Sequence, residues 1–271
     1  MTCIMSKVII VTGASTGLGE SIANHLANKG HIVYGTSRNI EGQAKKFHTL
    51  NMDVTNTDSI ENAVQRIIHE QGRIDVWVNN AGLGIASPIE TLSITDASRV
   101  FDTNVIGVVR CCQAVLPHLR ARRSGLIINI SSIGSEMGLP YRGLYSASKA
   151  AVDRITEALR TELAPFGVQA CIVQPGGVKT DINKNRIKVD LPADNVYKES
   201  FDITYQLIDD SVSAGLEPGV FATLIEQLLT AKEVKRCYRI GKPMEKLSVL
   251  LKRLLPASTF ENMIKKHYKL K

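Results

Sequence analysis

Short strand-like apolar runs alternate with amphipathic helical patterns along most of this 271-residue chain, which predicts an α/β fold: a doubly wound, mostly parallel sheet with helices on both faces. Two further observations agree with it. An apolar run at residues 8–11 leads directly into a glycine-rich turn and then a helical repeat. Residues suited to ligand chemistry also fall just after successive strands, at the carboxyl edge where open sheets of this kind hold their ligands.

The first strand reads into Thr12-Gly13-Ala14-Ser15-Thr16-Gly17-Leu18-Gly19, followed by a helix marked by Ile22, Ala23, Leu26 and Ala27 that ends near Gly30. Glycines in this position let the backbone turn tightly and approach a pyrophosphate, whose charge then lies at the helix N-terminus. The second strand, 31–36, ends at Ser37-Arg38-Asn39. No carboxylate stands there to accept from a ribose 2′-hydroxyl, whereas the planar donor of Arg38, with Ser37 beside it, suits a 2′-phosphate. NADP(H) is therefore the preferred cofactor, with NAD(H) as the alternative.

The third strand, 50–52, delivers Asp53-Val54, and a helix opened by Thr57 carries Ile60, Val64, Ile67 and Ile68 on one face up to a stop at Gly72. Residues 76–78 form the fourth strand and lead to Asn79-Asn80-Ala81-Gly82, where small residues permit close approach of a ligand. A long helical region, 95–119, has Asn104 near its middle, at some cost in helix propensity. The fifth strand, 126–130, ends in Ser131-Ser132, and the sixth, 169–173, ends at Gln174-Pro175-Gly176-Gly177. Between them lies a helix through Ala150, Ile155, Leu159 and Leu163 that begins with Tyr145-Ser146-Ala147-Ser148-Lys149. At that spacing Tyr145 and Lys149 share one helical face, and an ammonium within reach of a phenol stabilises the phenolate left when the proton is given up. The pair is a candidate proton-transfer device.

Composition limits the other classes. With 44% apolar and 22% charged residues, the chain suits a globular protein, read as one domain over 1–271. Met1 to Ser6, ahead of the stretch that starts at Lys7, are too few for a signal peptide or a membrane span, so a cytoplasmic location is expected. Five cysteines without C-x-x-C spacing read as reduced, and no metal site is expected. The net charge of +7 is confined to one end. Residues 232–271 hold twelve basic and three acidic side chains, against 21 and 23 in the remainder, and without interleaved aromatic residues this does not indicate nucleic-acid binding.

Taken together, the motifs resemble those of the short-chain dehydrogenase/reductases. TGxxxGxG is Thr12 to Gly19, NNAG is Asn79 to Gly82, Ser132 lies thirteen positions before Tyr145, YxxxK ends at Lys149, and the PG motif is Pro175-Gly176. The resemblance covers about residues 7–180 and implies a seven-stranded Rossmann-type sheet. Beyond it the chain is nearer the hydroxysteroid and retinol dehydrogenase-like members. It also implies roles: Tyr145 as proton donor or acceptor, Lys149 as its electrostatic partner and holder of the nicotinamide ribose, Ser132 on the substrate oxygen, and Asn104 positioning a water that links Lys149 to solvent. Cofactor contacts would come from Gly13, Ser15, Thr16, Gly17, Leu18 and Gly19 at the pyrophosphate. Ser37 and Arg38 would lie at the 2′-phosphate, Asp53 and Val54 at adenine, and Asn80, Ala81 and Gly82 at the ribose. Tyr145 and Lys149, with Pro175, Gly176, Val178 and Thr180, would surround the nicotinamide. Two departures stand out: the segment 38–48 is short enough to be a turn instead of a helix, and Ser15 and Thr16 occupy places where some NADP-dependent relatives carry a cation.

Residues 181–216 occupy the position of a substrate loop and lid. Ile182, Ile187, Val189, Leu191, Val196, Tyr197, Phe201 and Tyr205 suggest an apolar underside and a lipophilic substrate, although a plain packing helix explains them as well. The extension 242–271 is basic and amphipathic, with Leu247, Leu250, Leu251, Leu254 and Leu255 on one face. Packing of that face on the domain or a partner subunit is favoured over contact with an anionic membrane surface. The expected activity is interconversion of a carbonyl and an alcohol on a small, lipophilic molecule (steroid-, retinoid- or 3-oxoacyl-like), by a homodimer or homotetramer. The competing readings are an NADP(H)-binding regulator without turnover and a sugar-nucleotide epimerase-like enzyme.

Overall fold

Parallel strands buried on both faces need helices on each side, and the computed structural model, which describes residues 6–180 and 185–270, has that arrangement. Seven strands form one parallel sheet in the order β3-β2-β1-β4-β6-β7-β9. They are β1 (Val8–Thr12), β2 (Ile32–Ser37), β3 (His48–Asn51), β4 (Val76–Asn79), β6 (Gly125–Ile130), β7 (Val168–Pro175) and β9 (Cys237–Ile240). A separate parallel pair joins β5 (Ile85–Ala86) to β8 (Ile187–Lys188). The strand order reverses between β1 and β4, and the carboxyl ends on either side of that point frame a crevice.

The period of two along each strand divides the core. Val8 and Ile10 of β1 face one layer with Trp77 and Ile127, while Ile9 and Val11 face the other with Val78 and Ile128. The first layer is covered by α2 (Thr57–Gln71), α4 (Gly107–Ala121) and α5 (Gly143–Leu163); the second by α1 (Gly17–Asn28) and α7 (Pro218–Thr230). Helix α2 is bounded as its sequence predicts: Asn56 caps it by accepting from the Ser59 amide at 2.9 Å, and Gly72 ends it at φ 71°. The 38–48 segment is a turn region without a helix. The four described cysteines are unpaired, and burial pushes the thiols of Cys112 and Cys171 up to about 12.

Two expectations need correction, and another holds in part. The helical region around Asn104 is not continuous: α3 (Ile94–Phe101) passes through a π turn, Asp102–Ile106, before α4 begins. In the segment expected to form a lid, the apolar side packs on the domain. Phe201, in α6 (Lys198–Ser213), is buried with Leu191 and Ala86, and Tyr141, Val189, Tyr197 and Tyr205 pack around them, whereas Val196 is exposed. The start of the lid, 181–184 with Ile182, lies outside the described residues, as do Cys3 and Lys271. Last, helix α8 (Pro243–Leu254) does not bury its leucine face. Leu251 and Leu255 pack partly against Ile133, Met137 and Phe260, the latter from α9 (Ala257–His267), but Leu247, Leu250 and Leu254 are exposed. Charged side chains, Glu245 and Arg253, join Val249 in holding α8 to the domain, which leaves the rest of the leucine face outward.

Asp75 fixes where the central strands begin. Its carboxylate accepts from the Val8 amide at 2.8 Å, from Arg73 at 3.0 Å and from Arg122 at 3.0 Å, tying β1, β4 and the end of α4. Burial alone would push this carboxyl up, but the Val8 amide and the two guanidinium groups outweigh it and hold it below the usual aspartate range. Its stabilising effect is therefore complete above about pH 4, the ordinary aspartate value, and is lost as pH falls through the lower folded value. Asp75→Asn is expected to lower stability by about 1–3 kcal/mol at pH 7, read by urea unfolding, with the gap to the parent chain closing in acid; a gap independent of pH would contradict the assignment.

Candidate active site

A cavity of about 940 Å³ opens at the carboxyl ends of β1, β4, β6 and β7. Every residue assigned above to cofactor contact lines it, as do Ser132, Tyr145 and Lys149; Asn104 does not. The glycine turn is shaped by backbone chemistry. Gly13 and Gly17 adopt φ of +66° and +62°, conformations that side chains disfavour. A methyl group on Gly13 would lie 2.8 Å from the Ala81 Cα, and one on Gly19 would strike the Gly13 carbonyl and the Asn80 amide. Thr16 caps α1 without a side-chain hydrogen bond, so the first-turn N–H groups are free to meet an anion at the cavity wall. This cradle fits a dinucleotide pyrophosphate.

Asn80 secures the turn. Its amide donates to the carbonyls of Thr12 at 2.9 Å and Gly13 at 3.1 Å, and the Thr12 hydroxyl accepts from the Asn80 and Ala81 amides at 3.0 and 2.9 Å. Asn79 points the other way, into a buried chain from Trp77 through Asn129 to Thr156. At the adenine end Arg38 is exposed and has no ion pair among the described residues. Nearby, Asp53 accepts from the amide and hydroxyl of Thr55 at 2.9 and 2.8 Å. The turn at 38–48 also brings Lys45 to the Ser15 carbonyl at 3.3 Å, where Glu20 pairs with it at 2.5 Å. Sequence reasoning missed this cation because it comes from outside the glycine motif.

Tyr145 and Lys149 are both buried on the cavity face of α5. The Lys149 ammonium donates to the Ile130 carbonyl at 3.0 Å, which fixes it at the end of β6 and leaves further N–H donors for the cavity. Ser132 follows on the same strand end, its hydroxyl accepting from the Gly134 amide at 3.0 Å. Asn104 is wholly buried behind this group. Its carboxamide accepts from the Leu83 amide at 2.7 Å and donates to the Leu83 carbonyl at 2.9 Å and Ser148 Oγ at 3.0 Å. Those bonds use both N–H donors and one lone pair of the oxygen, and with them Asn104 braces the β4 loop against α5 from inside a π turn, a device common at functional sites.

Two arginines at the substrate end were not foreseen. Arg142 lies over the Tyr145 ring, 5.1 Å from its centroid, and Arg186 pairs with Asp209 at 2.9 Å and lies over Tyr205. Both line the cavity, beside the apolar Leu83, Ile85 and Val212. Arg142 stands three residues ahead of Tyr145 and was readable as a neighbour in sequence; Arg186 reaches the site only through the β5–β8 pairing.

The Ser132 turn is buttressed from the far side of the chain. Gln174 reaches Asp153 at 2.9 Å and Glu136 at 3.0 Å; Arg239 binds Gln174 at 2.9 Å and Glu136 at 2.6 Å; Arg253 adds a bond to Glu136 at 3.1 Å. Burial pushes the Asp153 carboxyl above its ordinary value, although Ser135, Ser131 and Gln174 oppose it. Glu136 is also raised by burial, but Gln174, Arg253 and Arg239 win and hold it low.

This sheet and this cavity define an oxidoreductase that works with a bound dinucleotide. A family model described as short chain dehydrogenase matches residues 7–190. The 3-ketodihydrosphingosine reductase of Bacteroides thetaiotaomicron is 40% identical over 263 residues, covering 97% of this chain and 98% of that one. Among solved structures, a short-chain dehydrogenase from Streptomyces avermitilis superposes with TM-score 0.83 at 29% identity, covering 99% and 98% of the two chains. An alcohol dehydrogenase from Thermococcus sibiricus, complexed with 5-hydroxy-NADP, gives 0.70 at 25% identity, with 88% and 97% covered. The chain belongs to the short-chain dehydrogenase/reductase family.

Gly19→Ala tests the cradle. Its methyl group has no space between the Gly13 carbonyl and Asn80. Dinucleotide affinity is expected to fall by roughly tenfold or more in calorimetric titration, while circular dichroism retains the parent's helical signal; unchanged affinity would show that the turn does not hold the cofactor.

Proposed function

We propose that this protein is an NADP(H)-dependent reductase that interconverts a ketone and a secondary alcohol on a lipophilic substrate, with a long-chain 3-keto compound of the 3-ketodihydrosphingosine type as the leading candidate. The observation that carries the reading is the meeting of Ser132, Tyr145 and Lys149 on the wall of the cavity that also contains the glycine turn and Ser37-Arg38. Full-length similarity to a reductase of that substrate supports the class of molecule, and Leu83, Ile85 and Val212 offer apolar contact for a chain. The reading extends to a cytoplasmic homodimer or homotetramer.

Family members bind NAD(H) or NADP(H). Arg38, exposed at the end of β2, and Ser37 beside it favour the 2′-phosphate form. When bound, the cofactor supplies or accepts hydride at nicotinamide C4. The residues do the rest. The hydroxyl of Ser132 donates to the substrate oxygen and supports the negative charge that develops there. Tyr145 gives its phenolic proton to that oxygen in reduction and takes one back in oxidation. Lys149, held by the Ile130 carbonyl, stabilises the resulting phenolate with its fixed charge. Asn104 keeps the Leu83 backbone and Ser148 in place behind the pair.

Two measurements test the reading. Tyr145→Phe is expected to cut kcat by at least about a hundredfold, the scale of general acid catalysis, with dinucleotide affinity retained; substantial residual turnover would rule out the proton role. Across a panel of 3-keto lipids, steroids and short ketones, NADPH should outperform NADH, and Arg38→Ala should narrow that preference roughly tenfold by raising KM for NADPH alone. Equal turnover with NADH in the parent enzyme would overturn the Arg38 argument.

A further inference from the structure

The tail helix α8 spreads its apolar residues over two sides. One side meets the domain, with Leu251 and Leu255 packed partly against Ile133, Met137 and Phe260, and charged groups bond alongside them. Glu245 accepts from the Gly177 amide at 2.8 Å, Arg253 bonds Glu136 at 3.1 Å, Lys252 donates to the Glu136 carbonyl, and Val249 is its one buried residue. On the far side, at helical spacing, stand Met244, Leu247, Leu250 and Leu254, exposed by 68, 40, 51 and 70%. Met263 of α9 is exposed as well. A surface helix normally buries its apolar stripe, and an outward stripe with a polar rim marks an interaction surface.

The rim identifies the partner. Lys242, Lys246, Lys265, Lys266 and Lys269 are exposed and have no ion pair among the described residues, within a segment, 232–271, carrying twelve cations and three anions. A twofold contact with a second copy would set this charge against itself, since such an interface repeats the same patch on both sides. An anionic bilayer matches both features: apolar side chains enter the boundary between headgroups and acyl chains, and lysines meet the headgroups. Among the described residues no helix is long and apolar enough to cross a membrane, so the contact is a peripheral one. The helix pair also adjoins the cavity. Glu245 grips Gly177 next to the lining residue Gly176.

We propose that α8 and α9 form a docking surface for an anionic lipid bilayer. The surface stands independently of the substrate reading, because its evidence is exposure and charge alone. The test is co-sedimentation of the full-length protein with vesicles of phosphatidylglycerol and phosphatidylcholine, against vesicles of phosphatidylcholine alone. Binding is expected to the anionic vesicles at low salt, and to weaken severalfold at about 0.5 M salt. Leu250→Glu/Leu254→Glu should weaken it by roughly tenfold or more, with NADPH binding and turnover of a short water-soluble ketone unchanged. Lys265→Gln/Lys266→Gln, which leaves the stripe intact, should weaken it by roughly tenfold at low salt. Failure of the parent protein to bind anionic vesicles would overturn the proposal, as would undiminished binding by either double variant. A smaller assembly of the leucine double variant in light scattering would also overturn it, by showing the stripe to be a subunit interface.

Discussion

The site depends on how the ends of β1 and β4 are joined. Four hydrogen bonds between Thr12, Gly13, Asn80 and Ala81 connect two strands at the point where the sheet reverses its order. Charge is absent from this junction, so it holds its shape across pH and ionic strength. The glycine turn is thereby fixed with its amides towards the cavity, instead of being left to find that shape when a ligand arrives, and preorganisation of this kind reduces the ordering cost of binding. Gly19 completes the junction by leaving no gap between α1 and the Asn80 amide.

Around that joint, each residue proposed for the chemistry is positioned by a group outside that set. Lys149 is aimed by a main-chain carbonyl, Ser132 by a turn whose base is bonded to Gln174, Arg239 and Arg253, and the loop beyond β4 by a buried asparagine. The supports of the Ser132 turn come from β7, β9 and α8, elements remote in sequence from the residues they serve. Buried polar groups of this kind are costly when half satisfied and rigid when fully bonded, which makes them suited to holding reactive side chains still.

Much of this was legible in the sequence because the period of two in the strands, the glycine turn and the Tyr145–Lys149 spacing are local signals. The sheet's strands, the stop at Gly72 and the cavity walls follow from them. What was not legible depended on tertiary structure. Asn104 read as lying in a continuous helix, and its environment is a π turn in which its side chain bonds the Leu83 backbone. Lys45 and Arg186 reach the cavity region through folds in the chain that no spacing reveals. The apolar periodicity of α8 held only in part: Leu251 and Leu255 pack on the domain, while Glu245 and Arg253 find partners there and Leu247, Leu250 and Leu254 face outward.

That orientation separates the presence of the motifs from the integrity of the enzyme. A chain ended after Ile240 would retain every residue by which the family is known, yet Glu136 would lose Arg253, Gly177 would lose its Glu245 acceptor, and Ile133 and Met137 would lose Val249 and Phe260. Ser132 opens the turn that contains Ile133 and Glu136. Residues 241–270 are therefore as much a part of the proposed site's foundation as the helix that carries Tyr145.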